Sequence, residues 1–167
     1  MSSPKEKPKA RLIIGVMYDS APEKIISELE KEFGKVKIKS DEYDFNFTDF
    51  YEKEFGKGLK KVYMCFEKPF DVEKLPEAKL FCSESENKYL KNNKRLFNID
   101  PGYITENSVV LASFKPRAHR IYLKKNVYAD LQLVFENSNW KGFKWTFFDI
   151  TSKNVINFLT RIKETTL

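Results

Sequence analysis

The chain has 167 residues, 41% apolar and 15% aromatic, including 15 phenylalanines, which suits one folded domain and argues against general disorder. No apolar run approaches the roughly 20 residues that span a bilayer, and the opening MSSPKEKPKA lacks the apolar core of a secretion signal. The net charge of +6 invites a polyanionic partner, but most basic residues are lysines interleaved with glutamates, as in PEKIISELEKEFGKVKIK, the pattern of a solvated face.

Residues 1–10 read as a disordered tail and residues 11–167 as a single domain, with no linker rich in Gly, Ser or Pro to divide it. RLIIGVMY (11–18) predicts a buried strand. A helix follows: Ser20 is placed to cap it, Glu23 falls at capping-box spacing, Pro22 sits in the first turn, and Gly34 ends it. Ile25, Ile26, Leu29 and Phe33 form its apolar stripe. KVKIKSDEYDF reads as a second strand. Asp49 and Glu52 share capping-box spacing, so a short helix up to Gly56 is expected. KVYMCFEKPF is a third strand, closed by Pro69.

A helix around Glu84–Lys94 is expected next, with KYLKNNKR as its solvated basic end or, alternatively, a phosphate-binding patch. NIDPGY (98–103) reads as a type II turn, because Pro101 presets φ and Gly102 can supply positive φ. SVVLASF predicts a strand, and VINFLTRIKE a final amphipathic helix behind a cap at Ser152. Cys65 and Cys82 lack metal-site or redox spacing, and Cys65 lies in a strand-like run, so reduced thiols in a cytosolic protein are expected.

HRIYL and VYADLQLVF flank KKN, a loop in which Asn126 tolerates the left-handed conformation. This pairs Leu123 with Val127, Ile121 with Ala129 and His119 with Leu131 on an expected core face. Tyr122 then faces Tyr128, and Arg120 faces Asp130, on the other. His119, the only histidine, accordingly reads first as a hydrogen-bonded, partly buried imidazole and second as an acid–base group. Arg120 and Asp130 read equally as a cross-strand ion pair or as part of a polar ligand wall, because a fixed guanidinium suits phosphate or carboxylate.

FTDFYEKEFG offers Asp49, Tyr51, Glu52 and Glu54; Asp49 and Glu52 could share a helix face as an acid–base or metal pair, but capping explains them more simply, and without a second histidine no tight metal site is expected. FGKGLKK lacks the GxxxxGK[ST] pattern, and no GxGxxG, HExxH or GxSxG occurs. Phosphate-loop, Rossmann, zincin and hydrolase chemistries lose their usual markers. GFKWTFFDI places Trp145, Phe147 and Phe148 in an expected strand, where alternating aromatics pack a core or, alternatively, stack on a base.

FNFTDFYEKEFGKGLKK, NIDPGY, HRIYL, VYADLQL and WTFFDI together resemble a prokaryotic family, the domain of unknown function 4416 family, over nearly the whole chain after the tail. Members read FDFTDYYE, EMG, LDPGY, HRIYL, YAE and WTYPDY at similar positions. Some carry a GTP-binding label, for which no GTPase signature stands here. The resemblance implies interest in Asp49, Tyr51, Glu54, Asp100, Gly102, Tyr103, His119, Arg120, Tyr122, Tyr128, Asp130, Trp145 and Asp149. Asn46 stands where an aspartate is usual, Phe50 replaces a tyrosine, and Asp130 replaces a glutamate.

The expected fold is one α+β domain, a mixed, largely antiparallel sheet with helices on one face, beginning ferredoxin-like and ending in a hairpin and helix. The expected function is binding of, or action on, an anionic small molecule, nucleotide-like in one version. Arg120, Tyr122, Tyr128 and Tyr103 would hold the ligand, with Asp49, Tyr51, Glu54 and Trp145 in support. His119, Asp100 and Asp130 would supply acid–base chemistry. An RNA- or other nucleic-acid-binding module is the alternative, and a protein–protein adaptor a third. Cofactor and oligomeric state are left open.

Overall fold

The computed structural model describes residues 2–55 and 57–167, without the side chains of Phe50 and Glu52. Glu52 and Gly56, both invoked for the short helix, therefore lie in part or wholly outside the described residues. The fold is α+β, a single domain with a nine-stranded sheet and helices packed on it.

The ferredoxin-like beginning is complete. Strand β1 (Ala10–Tyr18) leads to helix α1 (Glu23–Phe33) and strand β2 (Val36–Lys39); β4 (Lys60–Pro69), α3 (Leu75–Lys88) and β7 (Phe97–Thr105) follow. These strands lie in the order β7-β1-β4-β2, and each neighbouring pair is antiparallel. β8 (Ser108–Ser113), β10 (Val127–Glu136) and β11 (Asn139–Gly142) extend the sheet beyond β7, and β9 (Arg120–Lys124) pairs with β10. Every described pairing is antiparallel, so the sheet is not mixed.

Helices cover both faces rather than one. Even-numbered β1 residues Leu12, Ile14 and Val16 pack with Ile25 and Leu29 of α1 and Cys82 of α3. Ile13, on the opposite face, packs with Val155, Phe158 and Ile162 of α4 (Lys153–Thr166). The cause is the period-2 alternation of a strand that is apolar on both sides, since a second apolar face needs a second covering layer. Ser152 caps α4, its Oγ accepting from Val155 N–H. Cys65 and Cys82 are free and buried, and burial pushes the Cys65 thiol up to about 12.

Several local expectations are corrected. Ser20 does not cap α1; its hydroxyl donates to Asp19 Oδ1, and the helix starts after Pro22, too late for a Ser20 cap. Gly34, at φ +95°, does end it. KVKIKSDEYDF is two strands, β2 and β3 (Tyr43–Asp44), because Ser40 Oγ bonds both Tyr63 N–H and the Asp41 carbonyl at the break. Residues Asp49–Tyr51 form a 3-10 turn continued by α2 (Glu52–Phe55).

The helix expected around Glu84–Lys94 starts earlier, as α3, and stops at Lys88. KYLKNNKR then makes a small hairpin, β5 (Leu90–Lys91) and β6 (Lys94–Arg95), turned by Asn92 and Asn93 at φ 52° and 60°. Asparagine tolerates the left-handed pair that such a turn demands. NIDPGY is no turn; it lies inside β7. Pairing with β8 begins only at Gly102, so Pro101 sits where β7 is an edge and a missing N–H is tolerated. GFKWTFFDI is not a strand beyond Gly142 but a run of turns, held by Thr146 Oγ1, which accepts from Phe143 N–H and donates to the Gln132 carbonyl.

Residues 2–9 have no regular secondary structure and are exposed, with Lys7 reaching Asp71 and Glu73. Among the described residues no helix is long and apolar enough to cross a membrane.

Candidate functional site

The sheet splits between β7 and β8. Gly102 pairs with Leu111, Tyr103 with Val110 and Ile104 with Val109, but Pro101 and Asp100 have no partner on β8, whose Ala112 and Ser113 pair only with β10. Gly102 fixes the fork: a Cβ there would stand 2.3 Å from the Val110 carbonyl oxygen. The divergence opens a crevice of about 520 Å3. Asn98 and Asp100 of β7 line one side, Leu111 to Lys115, Arg117, Arg120 and Asp130 the other, and Lys79, Ser83, Glu86 and Asn87 of α3 reach in through the gap.

Arg120 and Asp130 form the rigid side. Arg120 Nε donates to Asp130 Oδ2 at 2.7 Å, and Nη1 donates to Ser113 Oγ and the Lys115 carbonyl, both at 2.8 Å. Nη2 has no acceptor among the described residues. Asp130, 1% exposed, also accepts from Gln132 Nε2 at 2.8 Å, and Gln132 Oε1 accepts from Phe147 N–H at 2.9 Å. Gln132, the chain's only glutamine, is buried at a bulge in β10 and ties the 143–149 loop to the ion pair.

The other side is a second network. Arg95 makes a bidentate pair with Glu54, at 2.6 and 2.9 Å, and its Nη1 reaches Glu86 Oε2 at 2.9 Å and Asn98 Oδ1 at 3.4 Å. Asn98 Nδ2 donates to Asp100 Oδ2 at 2.7 Å, and Lys79 Nζ lies 3.6 Å from Asp100 Oδ1. The hydrogen bonds from Arg95 hold the Glu54 carboxyl below its ordinary value. Burial raises Glu86 despite the donors it accepts from, Ile99 N–H and Arg95.

Beside this lies a buried cluster. Asp149 Oδ2 accepts from Lys61 at 2.8 Å, Tyr43 at 2.9 Å and Tyr63 at 3.4 Å. Gly15 lies between Tyr63 and Asp100 across the sheet, and a Cβ there would sit 2.7 Å from the Tyr63 ring. Glycine thus leaves room for Tyr63 over β1. Burial works against the Lys61 charge, but Asp149, Tyr43 and Asp100 together outweigh it and hold Lys61 above its ordinary value. Burial, and then the nearby Asp100 charge, push Tyr51 up to about 12.

The chain matches one family model, described as domain of unknown function (DUF4416), over residues 8–165. It belongs to that family. Curated proteins and solved structures yielded no match.

In this DUF4416 chain the crevice gathers Tyr51, Asp100, Arg120 and Asp130, with Glu54 one bond behind through Arg95. It does not gather the rest. Tyr122 pairs with Tyr128, the rings edge to face at 5.4 Å, and neither lines the crevice. Tyr103 packs near Phe70 on the α3 side, and Asp49 is exposed away from the lining. Trp145 donates to the Leu131 carbonyl and stacks between His119 and Phe143.

His119 does not face Leu131. It precedes β9, stacks on Trp145 at 4.6 Å, and its Nε2 lies 3.4 Å from Asp130 Oδ1 without making a hydrogen bond. The Tyr122–Tyr128, Ile121–Ala129 and Arg120–Asp130 pairings match the alternation. Val127, however, pairs with Lys124 rather than Leu123, because Lys125 and Asn126 both adopt positive φ in a two-residue turn and a bulge follows. The expected core face is open at β9: Ile121 is 67% exposed, since β9 is an edge strand tied to α3 through a polar contact, Lys124 Nζ lying 2.8 Å from Glu77 Oε1.

Lys79, Arg95, Glu86, Arg117 and Ser113 were not singled out in the sequence. Lys79, Ser83 and Asn87 stand at i, i+4 and i+8, a helix-face signal hidden by the misplaced α3 boundary.

Proposed function

We propose that the β7–β8 crevice binds an anionic small molecule through Arg120, Lys79 and Arg117. The observation that carries this reading is an imbalance in donor capacity. Each carboxylate lining the crevice already has protein partners: Asp130 has Arg120 and Gln132, Glu86 has Arg95 and Ile99 N–H, and Asp100 has Asn98 and Lys79. The cations keep spare donors. Among the described residues Arg120 Nη2 has no acceptor, Lys79 Nζ has only the Ile99 carbonyl at 3.4 Å, Asp100 at 3.6 Å and the Phe114 ring at 5.5 Å, and Arg117 makes no side-chain bond.

Arg120 is held by three hydrogen bonds from Nε and Nη1, so presenting Nη2 to a phosphate or carboxylate costs little further ordering. A volume of about 520 Å3 lies within the range of small-molecule sites. Two buried free thiols fit a reducing compartment, and we assign the protein to a prokaryotic cytosol.

A thermal-shift panel of phosphate, phosphorylated metabolites, carboxylates and nucleotides tests this reading on wild type, Lys79→Met and Arg117→Ala. Arg117 is exposed, whereas Lys79 is largely buried against Asp100 and the Ile99 carbonyl, so each variant's ligand shift is read against its own unliganded melting temperature. A ligand at a hundred times its Kd adds roughly 2.7 kcal/mol of stability, which should shrink in both variants. A blank panel accompanied by salt-sensitive RNA binding would contradict the reading.

A further inference from the structure

We infer that the ligand of this crevice is a phosphorylated sugar or polyol rather than a nucleotide; the inference rests on the anion-binding reading above. The crevice of about 520 Å3 is many times the roughly 30 Å3 that one water occupies in the liquid, so an inorganic anion would leave most of it unfilled. What fills the remainder is set by the neutral groups.

Ser83 and Asn87 continue the α3 stripe that begins at Lys79, all three line the crevice, and neither Ser83 nor Asn87 makes a side-chain hydrogen bond among the described residues. A hydroxyl and an amide each donate and accept, which matches ligand hydroxyls that also do both. The stripe therefore runs from a cation to hydroxyl-matching groups, the polarity of a molecule with a phosphate at one end and hydroxyls along its body.

A nucleobase needs a flat apolar slot in which its face meets aromatic surface. Tyr51, Phe114 and Phe147 line the crevice, and none stacks on another. Tyr51 packs edge to face against Phe45 and Phe55 outside it, and the Lys79 ammonium lies 5.5 Å from the centre of the Phe114 ring. Phe114 and Phe147 are exposed and neither packs on a second ring among the described residues, so each offers a single face, which is all that the C–H face of a sugar needs.

Titration calorimetry with inorganic phosphate, glycerol 3-phosphate, ribose 5-phosphate, glucose 6-phosphate and AMP tests the inference on wild type and a Ser83→Ala/Asn87→Ala double variant. At least one sugar or polyol phosphate should bind about tenfold tighter than both phosphate and AMP. The double variant should lose that margin and bind phosphate unchanged. AMP as the tightest probe, a margin that survives the double substitution, or phosphate binding with no gain from any polyol would overturn this inference alone. No binding by any probe would overturn the anion-binding reading as well.

Discussion

Arg120 Nε lies 2.7 Å from Asp130 Oδ2 across the β9–β10 pair, and the carboxylate is sealed from solvent. This contact couples stability to function, because the bond that compensates a buried charge also aims the guanidinium at the crevice. Removing either partner therefore has two consequences.

Arg120→Ala leaves Asp130 with a hydrogen bond from Gln132 alone among the described residues, and should cost roughly 3–5 kcal/mol, the usual penalty for breaking a buried pair. Asp130→Asn removes the buried charge and keeps the shape, so it should cost less. Urea unfolding of the two variants checks the order. Equal losses, or a cost near zero for Arg120→Ala, would mean that solvent already screens the pair.

Lys61 and Asp149 make the same argument deeper in the fold, both being almost fully buried. Asp149→Ala should cost roughly 3–5 kcal/mol by stranding the Lys61 ammonium, whereas the double variant Lys61→Met/Asp149→Leu should recover much of that loss. Chemical denaturation of the single and double variants gives the comparison. A double variant as unstable as the single one would make the two tyrosine hydrogen bonds, not the stranded charge, the source of the loss.

The hairpin pairing, the α4 cap and the ferredoxin-like opening were legible because each follows from a local rule: period-2 alternation, a serine before a helix, apolar runs between turns. The crevice was only half legible. Arg120 and Asp130 follow from strand register, but their partners Ser113 and Gln132 come from a neighbouring strand and a bulge, which local pattern does not report. Asp100 was seen in the wrong element, since Pro101–Gly102 has the composition of a turn and its actual setting, an edge opposite a diverging strand, depends on tertiary pairing. Glu54, Glu86 and Arg95 meet across 41 and 9 residues of separation, with no sequence signal at all.

Gly102 is the wedge that keeps β7 and β8 together up to the fork. Gly102→Ala would place its methyl against backbone, the Val110 carbonyl at 2.3 Å, which no rotamer change relieves. A cost of about 1–3 kcal/mol is expected, with ligand binding also weakened because the strands bordering the crevice must shift. Calorimetric melting and a ligand titration on the same sample read both effects. An alanine variant with wild-type stability would show that the strands part without penalty.

Acid should weaken the Glu54 latch. Arg95 lowers the folded pKa of Glu54 below 4.5, so the stabilisation is present above that value and disappears as pH falls through the lowered one. Glu86 acts oppositely: burial raises its pKa, so its contribution is greatest at low pH and fades as pH rises through the raised value. Melting curves from about pH 7 down to about pH 3 should fall less steeply for Glu54→Gln than for wild type. Parallel curves would remove Glu54 from the acid response.

Backbone amide NMR during titration with inorganic phosphate tests the central claim, that spare cationic donors in the β7–β8 crevice receive an anion. Saturable shifts should concentrate at Asn98–Gly102, Leu111–Lys115, Arg117, Arg120 and the Lys79–Asn87 face of α3, and should weaken in Lys79→Met. Shifts spread over exposed lysines without saturation, or a saturable site elsewhere on the surface, would contradict it.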